Sequence, residues 1–439
     1  MRLLDHCRTL LLALAVVLAL PFSASAQGWL DGRQRAEGPG FRLGDLELHP
    51  GVGAEIGYDT NVFLSSDKAG VDPRRTSPIL RLTPHIYLST LGPERSDGGG
   101  ENGPMPIVDF RTGVSASLYH YLQTEARSNV EMDVDTQLTF LPRRPVSFTL
   151  LGTFMRTIRP FTESGAVGQN YNRDQITGGG KLTLQTRGGI LKSNVGYTFG
   201  ADLFEGGSFK FGNGVSHKVA LDAAWRFLPS TALLYDGEVN FHNYTSNDPG
   251  TVLISDNTRV RTRFGFNGYI TRVISVLAMV GYGAGFYVAG DDYDSIVGQA
   301  QLAFAFSDAV NFSLGYDRDF FRTFVGNFYR RDRGSMRFQL LLGGVFLTGL
   351  EAGVGLYDFG QTFTPTGGTI GDSYDRSDVR ADGSLFAEYR FTDWFAVNSR
   401  VEYMANFTDF RFNVATATPV FDPADYSRWT IWGGVRVFY

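Results

Sequence analysis

The last eleven residues of the chain alternate in character along their whole length. Apolar, aromatic or glycine residues recur at every second position from Trp429 to Tyr439, and Arg436 falls on the opposite face of an extended strand. A helix would place Arg436 among apolar neighbours, whereas a two-residue period separates it from them. An apolar strand at the edge of an open sheet invites aggregation. Because a closed barrel has no edge, the pattern favours a closed barrel.

The first 26 residues have the three parts of a secretory signal peptide. A basic start is followed by the apolar run Leu10–Leu20 and by the small residues Ala24, Ser25 and Ala26. The apolar run is shorter than the about 20 residues that a membrane-spanning helix needs. We therefore predict export of the chain, with cleavage before Gln27.

Residues 27–47 are predicted to form a short periplasmic segment that leads into a barrel of residues 48–439. The only cysteine, Cys7, lies in the predicted signal peptide, so no disulfide is expected in the mature chain. No stretch after Gln27 approaches the about 18 uninterrupted apolar residues of a helical span. A formal net charge of −5 gives no reason to propose a nucleic acid as partner.

Aromatic residues and glycine are abundant, whereas charged residues are scarce. The chain contains 36 Phe, 20 Tyr, 5 Trp and 53 Gly, and 19% of its residues are charged, against about 25% in soluble domains. This composition suits a membrane barrel with aromatic girdles outside and a polar lumen inside. A large soluble sandwich or propeller is the alternative, but no repeat carries a propeller-blade signature.

Eighteen segments have the alternating polarity of β-strands, and an even number is typical of bacterial single-chain barrels. They are His49–Phe63, Ile79–Leu91, Ile107–Tyr121, Asn129–Leu141, Val146–Ile158, Gln175–Arg187, Ile190–Phe204, Val215–Phe227, Ala232–Tyr244, Asn257–Ile270, Ile274–Val288, Ser295–Phe306, Val310–Phe321, Gly334–Phe346, Gly349–Phe359, Ser377–Phe391, Phe395–Phe407 and Ser427–Tyr439. We therefore predict an all-β fold, a transmembrane antiparallel barrel of about 18 strands.

The connections between these segments alternate between short and long. This alternation predicts short periplasmic turns and longer extracellular loops. The connection 92–106 breaks the rule, because it is long where a periplasmic turn is expected, and we predict a disordered insertion there.

Charged residues are predicted to face the lumen, because an arginine or lysine that faces lipid near the membrane midplane costs about 2–4 kcal/mol. The predicted lumen therefore carries both signs of charge. Two interpretations remain open. In the first, the basic strand Asn257–Ile270 forms cross-strand pairs with the acidic strand Ala232–Tyr244, and the lumen is a solvated, self-paired wall. In the second, Arg259, Arg261 and Arg263 form a charged constriction that selects a polar or anionic solute.

No motif in the chain indicates catalysis. The five histidines after the predicted signal peptide are dispersed over different strands and lack metal-ligand spacing. There is no Gly-x-Ser-x-Gly nucleophile elbow, and the acidic stretch 291–294 lacks the spacing of a calcium loop. We expect neither an enzyme nor a bound cofactor or metal.

One motif lies at the end of the first predicted strand, Gly57-Tyr58-Asp59-Thr60-Asn61-Val62-Phe63. It resembles a family of outer-membrane β-barrel porins, some of which are linked to exopolysaccharide secretion. The resemblance implies a barrel that exports a polysaccharide, with that polysaccharide and a periplasmic polysaccharide export protein as partners. Alternatively, Asp59 and Asn61 form only local turn hydrogen bonds.

The end of the chain carries a second resemblance. Gly434, Val437 and Tyr439 resemble the C-terminal signal of outer-membrane barrels. This implies recognition by the barrel-assembly machinery and insertion into the outer-membrane lipid of a Gram-negative bacterium.

The predicted function is an outer-membrane channel, and the resemblance implies exopolysaccharide secretion. Five inward aromatic residues are able to form a track for a glycan or, equally, to make packing contacts: Tyr119, Tyr121, Tyr269, Phe386 and Trp432. The alternative is a general or solute-selective porin for small polar molecules. A third possibility is a structural or adhesive barrel.

Overall fold

A computed structural model of the chain describes residues 38–69, 74–90, 107–124, 127–142, 144–158, 172–245, 254–307, 309–323, 326–360, 376–413 and 421–439. The predicted signal peptide, residues 27–37 and the predicted insertion at 92–106 lie outside the described residues. Within them, no helix has the length and apolarity to cross a lipid bilayer.

Strands make up nearly all of the described chain. They are β1 (Phe41–Leu43), β2 (Leu46–Asp59), β3 (Ser77–Thr90), β4 (Val108–Tyr121), β5 (Asn129–Phe140), β6 (Val146–Thr157), β7 (Arg173–Gln185), β8 (Leu191–Phe204), β9 (Gly214–Leu228), β10 (Thr231–Tyr244), β11 (Asn257–Tyr269), β12 (Ile274–Tyr287), β13 (Tyr293–Ser307), β14 (Val310–Arg322), β15 (Phe328–Leu342), β16 (Phe346–Phe359), β17 (Ser377–Thr392), β18 (Phe395–Phe407), β19 (Arg411–Asn413), β20 (Phe421–Pro423) and β21 (Tyr426–Phe438). Within the described residues, two short 3-10 helices lie in connections, Arg187–Gly189 and Gly207–Gly212.

Strands β2 to β18 and β21 form one closed antiparallel barrel of 18 strands. Each of these strands pairs with its neighbour along the chain, and β21 closes the barrel by pairing with both β18 and β2. β1 adds a short edge to β2, and β19 pairs with β20 in a separate hairpin. The predicted barrel of about 18 antiparallel strands is confirmed.

Three predicted strands differ from the observed strands by three residues or more, and one of them, Gly349–Phe359, starts too late because β16 begins at Phe346. The predicted segment Gly334–Phe346 starts too late, because β15 begins at Phe328. The arginines near its start resemble loop residues in the sequence, yet Arg331 and Arg333 pair with carboxylates on other strands. The predicted segment His49–Phe63 ends too late, because β2 ends at Asp59.

The two faces of the strands separate as predicted. On β21, the side chains of Ile431 and Val435 are exposed on the outer surface. Trp432, Arg436 and Phe438 alternate with them and are buried inside the barrel. The alternation gives the barrel an apolar outer surface and a polar inner surface, which is the arrangement that a lipid environment requires.

Some charged residues do face outward, close to the extracellular ends of β14 to β16. Arg330 forms ion pairs with Asp332 and Asp358, and Asp332 also pairs with Arg318. Ion pairs at this level of the barrel would meet lipid headgroups rather than acyl chains. These outward charges are therefore compatible with the apolar outer surface that the same strands present farther from their extracellular ends.

Two adjacent leucines on β6 allow the two faces to be compared directly. Leu150 is outward and 42% exposed, whereas Leu151 is inward and 39% exposed. We expect Leu150→Arg to lower the free energy of unfolding in lipid vesicles by about 2–4 kcal/mol, because the guanidinium meets hydrocarbon. Leu151→Arg should cost less than about 1 kcal/mol, because its guanidinium reaches lumen water. Equal losses in urea titrations of the two variants would contradict the assignment of the faces.

Candidate functional site

The walls formed by β10 and β11 carry opposite charges in register. Glu238 lies opposite Arg261 and Asp236 lies opposite Arg263. Arg263 Nε donates a 3.0 Å hydrogen bond to Asp236 Oδ1, and Arg261 Nη2 lies 3.2 Å from Glu238 Oε2. The cross-strand pairing that the sequence predicted between these strands is therefore present. Arg259, the third residue of the predicted constriction, lies opposite Asn240 and makes no ion pair with any described residue.

Arg261 also reaches a strand that is not its neighbour. Its Nη1 donates a 2.5 Å hydrogen bond to Asp319 Oδ2 on β14, across the inner faces of β12 and β13. The residue opposite Arg261 on β12 is Gly283, where an added Cβ would lie 2.9 Å from Val297. Arg261 is thus held by three carboxylates, those of Asp236, Glu238 and Asp319.

The wall from β14 to β21 is lined by seven arginines that form ion pairs with six carboxylates, one of which, Glu388, is shared by two arginines. The pairs are Arg331–Asp317, Arg333–Asp382, Arg337–Glu351, Arg380–Asp378, Arg390–Glu388, Arg436–Glu388 and Arg400–Glu402. Neighbouring charges of opposite sign largely cancel at a distance, so this wall contributes little net field to the lumen.

Four cations on β7 to β9, which we call the basic lane, differ from those arginines. Lys181, Lys192, Lys218 and Arg226 face the lumen and make no ion pair with any residue that the structure describes. Lys218 on β9 lies opposite Thr198 on β8. Thr198 is six residues from Lys192 along β8, and six strand residues span about 20 Å, which is therefore the length of the lane. It begins beside the periplasmic turn after Arg226. One carboxylate, Asp222, lies within the lane and faces a second carboxylate, Asp236.

The extracellular tip of the β14–β15 hairpin leaves the barrel wall. The ladder between β13 and β14 stops at Gly298 and Arg318, although the ladder between β14 and β15 continues to Arg322 and Phe328. We call residues 319–323 and 326–328 the hairpin tip. The ring of Phe320 stacks on that of Tyr293, with centroids 3.9 Å apart and an interplanar angle of 6°. The tip therefore rests on the inner face of the barrel near its mouth.

Arg322 anchors this tip to the far side of the mouth. Its Nη2 donates a 2.5 Å hydrogen bond to Asp202 Oδ2 on β8, and its Nη1 lies 3.0 Å from His242 Nδ1 on β10. Arg173 Nη2 on β7 donates a 2.7 Å hydrogen bond to the other oxygen of Asp202. We call Arg173, Asp202, His242, Arg259 and Arg322 the mouth cluster. Of these five residues, only Arg259 was predicted from the sequence.

A second set of contacts ties the tip to two neighbouring loops. Asn327 Nδ2 and Ser255 Oγ each donate a 2.8 Å hydrogen bond to the carbonyl oxygen of Ala289. Ser255 Oγ also lies 3.4 Å from Asn327 Oδ1. These contacts join the loops after β10, β12 and β14. They are side-chain contacts, without a backbone ladder between the loops.

The motif around Asp59 lies at the seam where the barrel closes. Arg428 on β21 donates hydrogen bonds to Asp59, with Nε 3.0 Å from Oδ1 and Nη2 2.5 Å from Oδ2. The backbone N–H of Asn61 donates to Asp59 Oδ1 at 2.8 Å, and Asn61 exchanges hydrogen bonds with the backbone of Ser65. The local turn bonds are therefore present, together with a link across the seam.

The remaining motif residues divide between the two faces of the barrel wall. Tyr58 is exposed on the outer surface, Gly57 packs beneath the ring of Trp432, and Phe63 is buried beside Val62 inside the barrel. None of these contacts assigns the motif a role in transport.

The three residues of the predicted assembly signal lie on β21 and at its end. Gly434 faces inward beneath the side chain of Glu55, whereas Tyr439 faces outward and its ring lies 4.3 Å from that of Phe41. Val437 is also exposed on the outer surface. Recognition of these residues by the assembly machinery stays a prediction.

Four of the five inward aromatic residues do not offer a ring face to a glycan. Tyr119, Tyr121 and Trp432 are buried in one cluster with Val62, Phe63, Ile79 and Ile158. Phe386 is buried against Leu347 and Leu341. These rings are packing contacts of the barrel wall, so the expectation of a glycan track is not met by them.

Within the described residues, no group of three or more His, Cys, Asp or Glu side chains is placed to hold a metal ion.

The chain is similar in structure to solved outer-membrane barrels. No model of a known protein family matches it, and no curated protein does. It is similar to OccK11 (OpdR) of Pseudomonas aeruginosa, at 12% identity and a TM-score of 0.43, covering 89% of this chain and 96% of that one. It is also similar to OccK2 (OpdF) of the same organism in complex with glucuronate, at 10% identity and a TM-score of 0.45, covering 89% and 98%. A third structure, OpdK of that organism with vanillate, has 9% identity, a TM-score of 0.45 and coverages of 89% and 99%.

Proposed function

We propose that this chain is an outer-membrane channel that admits small anionic solutes. The observation that carries the proposal is the basic lane, Lys181, Lys192, Lys218 and Arg226, which lines a closed barrel and makes no ion pair with the described residues. The apolar outer surface supports a position in the membrane, and the signal peptide predicted for residues 1–26 supports export.

The lane differs in physical effect from the paired arginines of the opposite wall. A guanidinium beside a carboxylate has little charge left to attract a distant ion. An unpaired lysine keeps its full charge, and charges of one sign along a low-dielectric channel raise the local concentration of counter-ions. A lane about 20 Å long therefore favours the passage of anions.

Secretion of an exopolysaccharide stays a prediction that rests on the motif near Asp59. Four of the five aromatic side chains that were expected to form a track for a glycan are buried, namely Tyr119, Tyr121, Phe386 and Trp432. They therefore give no support to a glycan as the transported molecule. The roles of a polysaccharide and of a periplasmic export protein as partners likewise stay predictions.

The ion selectivity of the purified chain tests the proposal. In planar bilayers under a KCl gradient, the wild-type barrel should give a reversal potential that favours chloride. The triple variant Lys181→Gln, Lys192→Gln, Lys218→Gln should lower the chloride-to-potassium permeability ratio by about tenfold, because it removes most of the unpaired positive charge.

Lys68→Gln is a suitable control, because the Lys68 side chain is 79% exposed in the loop after β2 and lies outside the lane. It should leave the permeability ratio of the barrel unchanged. An unaltered ratio in the triple variant, or a wild-type channel that prefers potassium, would count against an anion channel.

A further inference from the structure

We infer that the motif at the end of β2 closes the barrel during folding. Asp59 and Asn61 form a receiving turn at the extracellular end of β2, and Arg428 on β21 enters this turn when the first and last barrel strands meet. We call Asp59, Asn61 and Arg428 the seam latch. The inference concerns assembly of the barrel wall, so it goes beyond the proposed anion channel and does not depend on the solute.

The first step is the seam between β2 and β21. Their ladder covers Gly51–Asp59 of β2, whereas the ladder between β2 and β3 covers Leu46–Asp59. β2 therefore shares fewer backbone bonds with β21 than with β3. The seam also joins residues that are 369 positions apart. Because the entropic cost of joining two segments rises with the length of chain between them, the seam is the last boundary to form.

The second step is the receiving turn, which is built from residues close in sequence. The backbone N–H of Asn61 donates a 2.8 Å hydrogen bond to Asp59 Oδ1. Asn61 Oδ1 accepts from the N–H of Ser65 at 2.9 Å, and Asn61 Nδ2 donates to the Ser65 carbonyl oxygen at 2.8 Å. Leu64 lies within the turn at a φ of 57°, which a leucine avoids, so the bonds of Asn61 hold the turn in shape. Contacts this local form before β21 arrives.

The third step is the packing beneath the turn. Val62 and Phe63 are buried in one cluster with Tyr119 of β4. The backbone N–H of Val62 donates a 2.9 Å hydrogen bond to the carbonyl oxygen of Arg75, in the segment that leads into β3. The turn is therefore supported by β2 to β4, which follow one another along the chain. Trp432 of β21 completes the same cluster, so apolar burial accompanies closure.

The fourth step is the set of bonds that β21 brings to the turn. Arg428 Nε lies 3.0 Å from Asp59 Oδ1, and its Nη2 lies 2.5 Å from Oδ2. Asn61 Nδ2 also donates a 3.0 Å hydrogen bond to the carbonyl oxygen of Ser427. Asp59 and Asn61 are fully buried in the closed barrel. Because a guanidinium that binds both oxygens of a carboxylate has a fixed geometry, the latch selects the register of β21 on β2.

Refolding from urea into detergent micelles, followed over time by heat-modifiable migration on gels, tests the latch. Asp59→Asn should lower the refolding rate by about tenfold, because a buried charged pair that forms during closure is lost. Arg428→Gln should have a similar effect, and the double variant should be no slower than either single variant, because both changes remove the same contact.

Glu351→Gln is the matched control for these rates. It removes an ion pair with Arg337 between β15 and β16, which are consecutive along the chain. Because this pair does not join the two ends of the barrel, Glu351→Gln should refold at the wild-type rate. An equal slowing in Glu351→Gln and Asp59→Asn would contradict a special role of the seam.

A disulfide across the seam separates closure from other effects of the substitution. Ala54 and Val435 lie opposite each other on β2 and β21, and opposite residues of a ladder have the Cα separation that a disulfide needs. The Ala54→Cys, Val435→Cys chain from Gln27 onward contains no other cysteine, so it can be oxidised at high dilution in urea before refolding. With the two strands already joined, Asp59→Asn should refold as fast as its cross-linked parent. A reductant should restore the difference.

The outcomes decide the inference without involving the anion channel. An Asp59→Asn chain that is slow alone and fast when cross-linked supports the latch, and so does one that folds only when cross-linked. A wild-type refolding rate, or the same slowing with and without the cross-link, overturns it. Refolded Asp59→Asn barrels should keep the wild-type ion selectivity. A changed selectivity with an unchanged refolding rate would assign the motif to transport instead.

Discussion

Gly434→Val is expected to prevent closure of the barrel. An added Cβ at Gly434 would lie 2.6 Å from the carbonyl oxygen of Ala54 and 2.4 Å from Cγ of Glu55 on β2. The Glu55 side chain can move, but the carbonyl of Ala54 belongs to the ladder between β2 and β21. Relief of the contact therefore requires the two strands to separate at the seam. We expect a loss of about 3 kcal/mol, because a backbone carbonyl cannot move as a side chain can.

The absence of a side chain at Gly434 also leaves room for the side chain of Glu55 on the lumen side of this seam. The Glu55 side chain lies across the seam. Its carboxylate accepts a 3.0 Å hydrogen bond from Asn398 Nδ2 on β18 and a 2.5 Å hydrogen bond from Arg81 Nε on β3. A valine at position 434 would displace Glu55 from both partners. The substitution thus removes polar links across three interstrand boundaries in addition to the steric contact.

Gly433→Ala is the matched control, because a Cβ at Gly433 meets nothing within 4 Å. The two variants should be refolded into detergent and then examined by heat-modifiable migration on gels. Gly433→Ala should migrate as a folded barrel, whereas Gly434→Val should remain largely unfolded. Comparable folded fractions in the two variants would contradict the steric argument.

Glu388→Gln is expected to give the second large loss of stability. The carboxylate of Glu388 is fully buried and accepts hydrogen bonds from Arg436 Nη1 at 2.6 Å and from Arg390 Nε at 3.2 Å. Arg436 lies on β21 and Glu388 on β17, so this link bridges β18. Glutamine keeps the shape but removes the charge shared by two guanidiniums. Breaking a buried pair in this way costs about 3–5 kcal/mol.

Glu351→Gln provides the comparison for Glu388→Gln. Glu351 pairs with Arg337 at 2.6 Å, but both side chains are partly exposed to the lumen. Because water can solvate the remaining guanidinium, the loss should stay below about 1 kcal/mol. Urea titrations in lipid vesicles measure both changes. A Glu388→Gln barrel as stable as Glu351→Gln would show that burial does not strengthen the pair.

The alternation of residue types was sufficient to predict the wall of the barrel. It placed Trp432 and Arg436 inside and Ile431 outside, because successive side chains of a strand point to opposite faces. It also predicted pairing between the acidic β10 and the basic β11, because antiparallel neighbours along the chain bring their inward residues together. Strand ends were less certain where polar residues belong to a strand, as at Arg331 and Arg333.

The arrangement inside the barrel depended on the tertiary structure. Asp202 and Arg322 are 120 positions apart, and they lie on β8 and β14, which are not neighbours. Their contact depends on the curvature of the closed wall and on the departure of the hairpin tip from β13. Arg322 is the last residue of its strand, where the pattern of alternation ends. No local period carries that information.

The sequence alone therefore determined which side chains line the lumen, because the two-residue period is a property of each strand by itself. The tertiary structure decided which of those side chains are neutralised. Arg261 is neutralised by Asp319 across two intervening strands, whereas Lys181, Lys192 and Lys218 form no such pair with the described residues. Distances across a lumen depend on how all 18 strands close, and a single strand does not encode them.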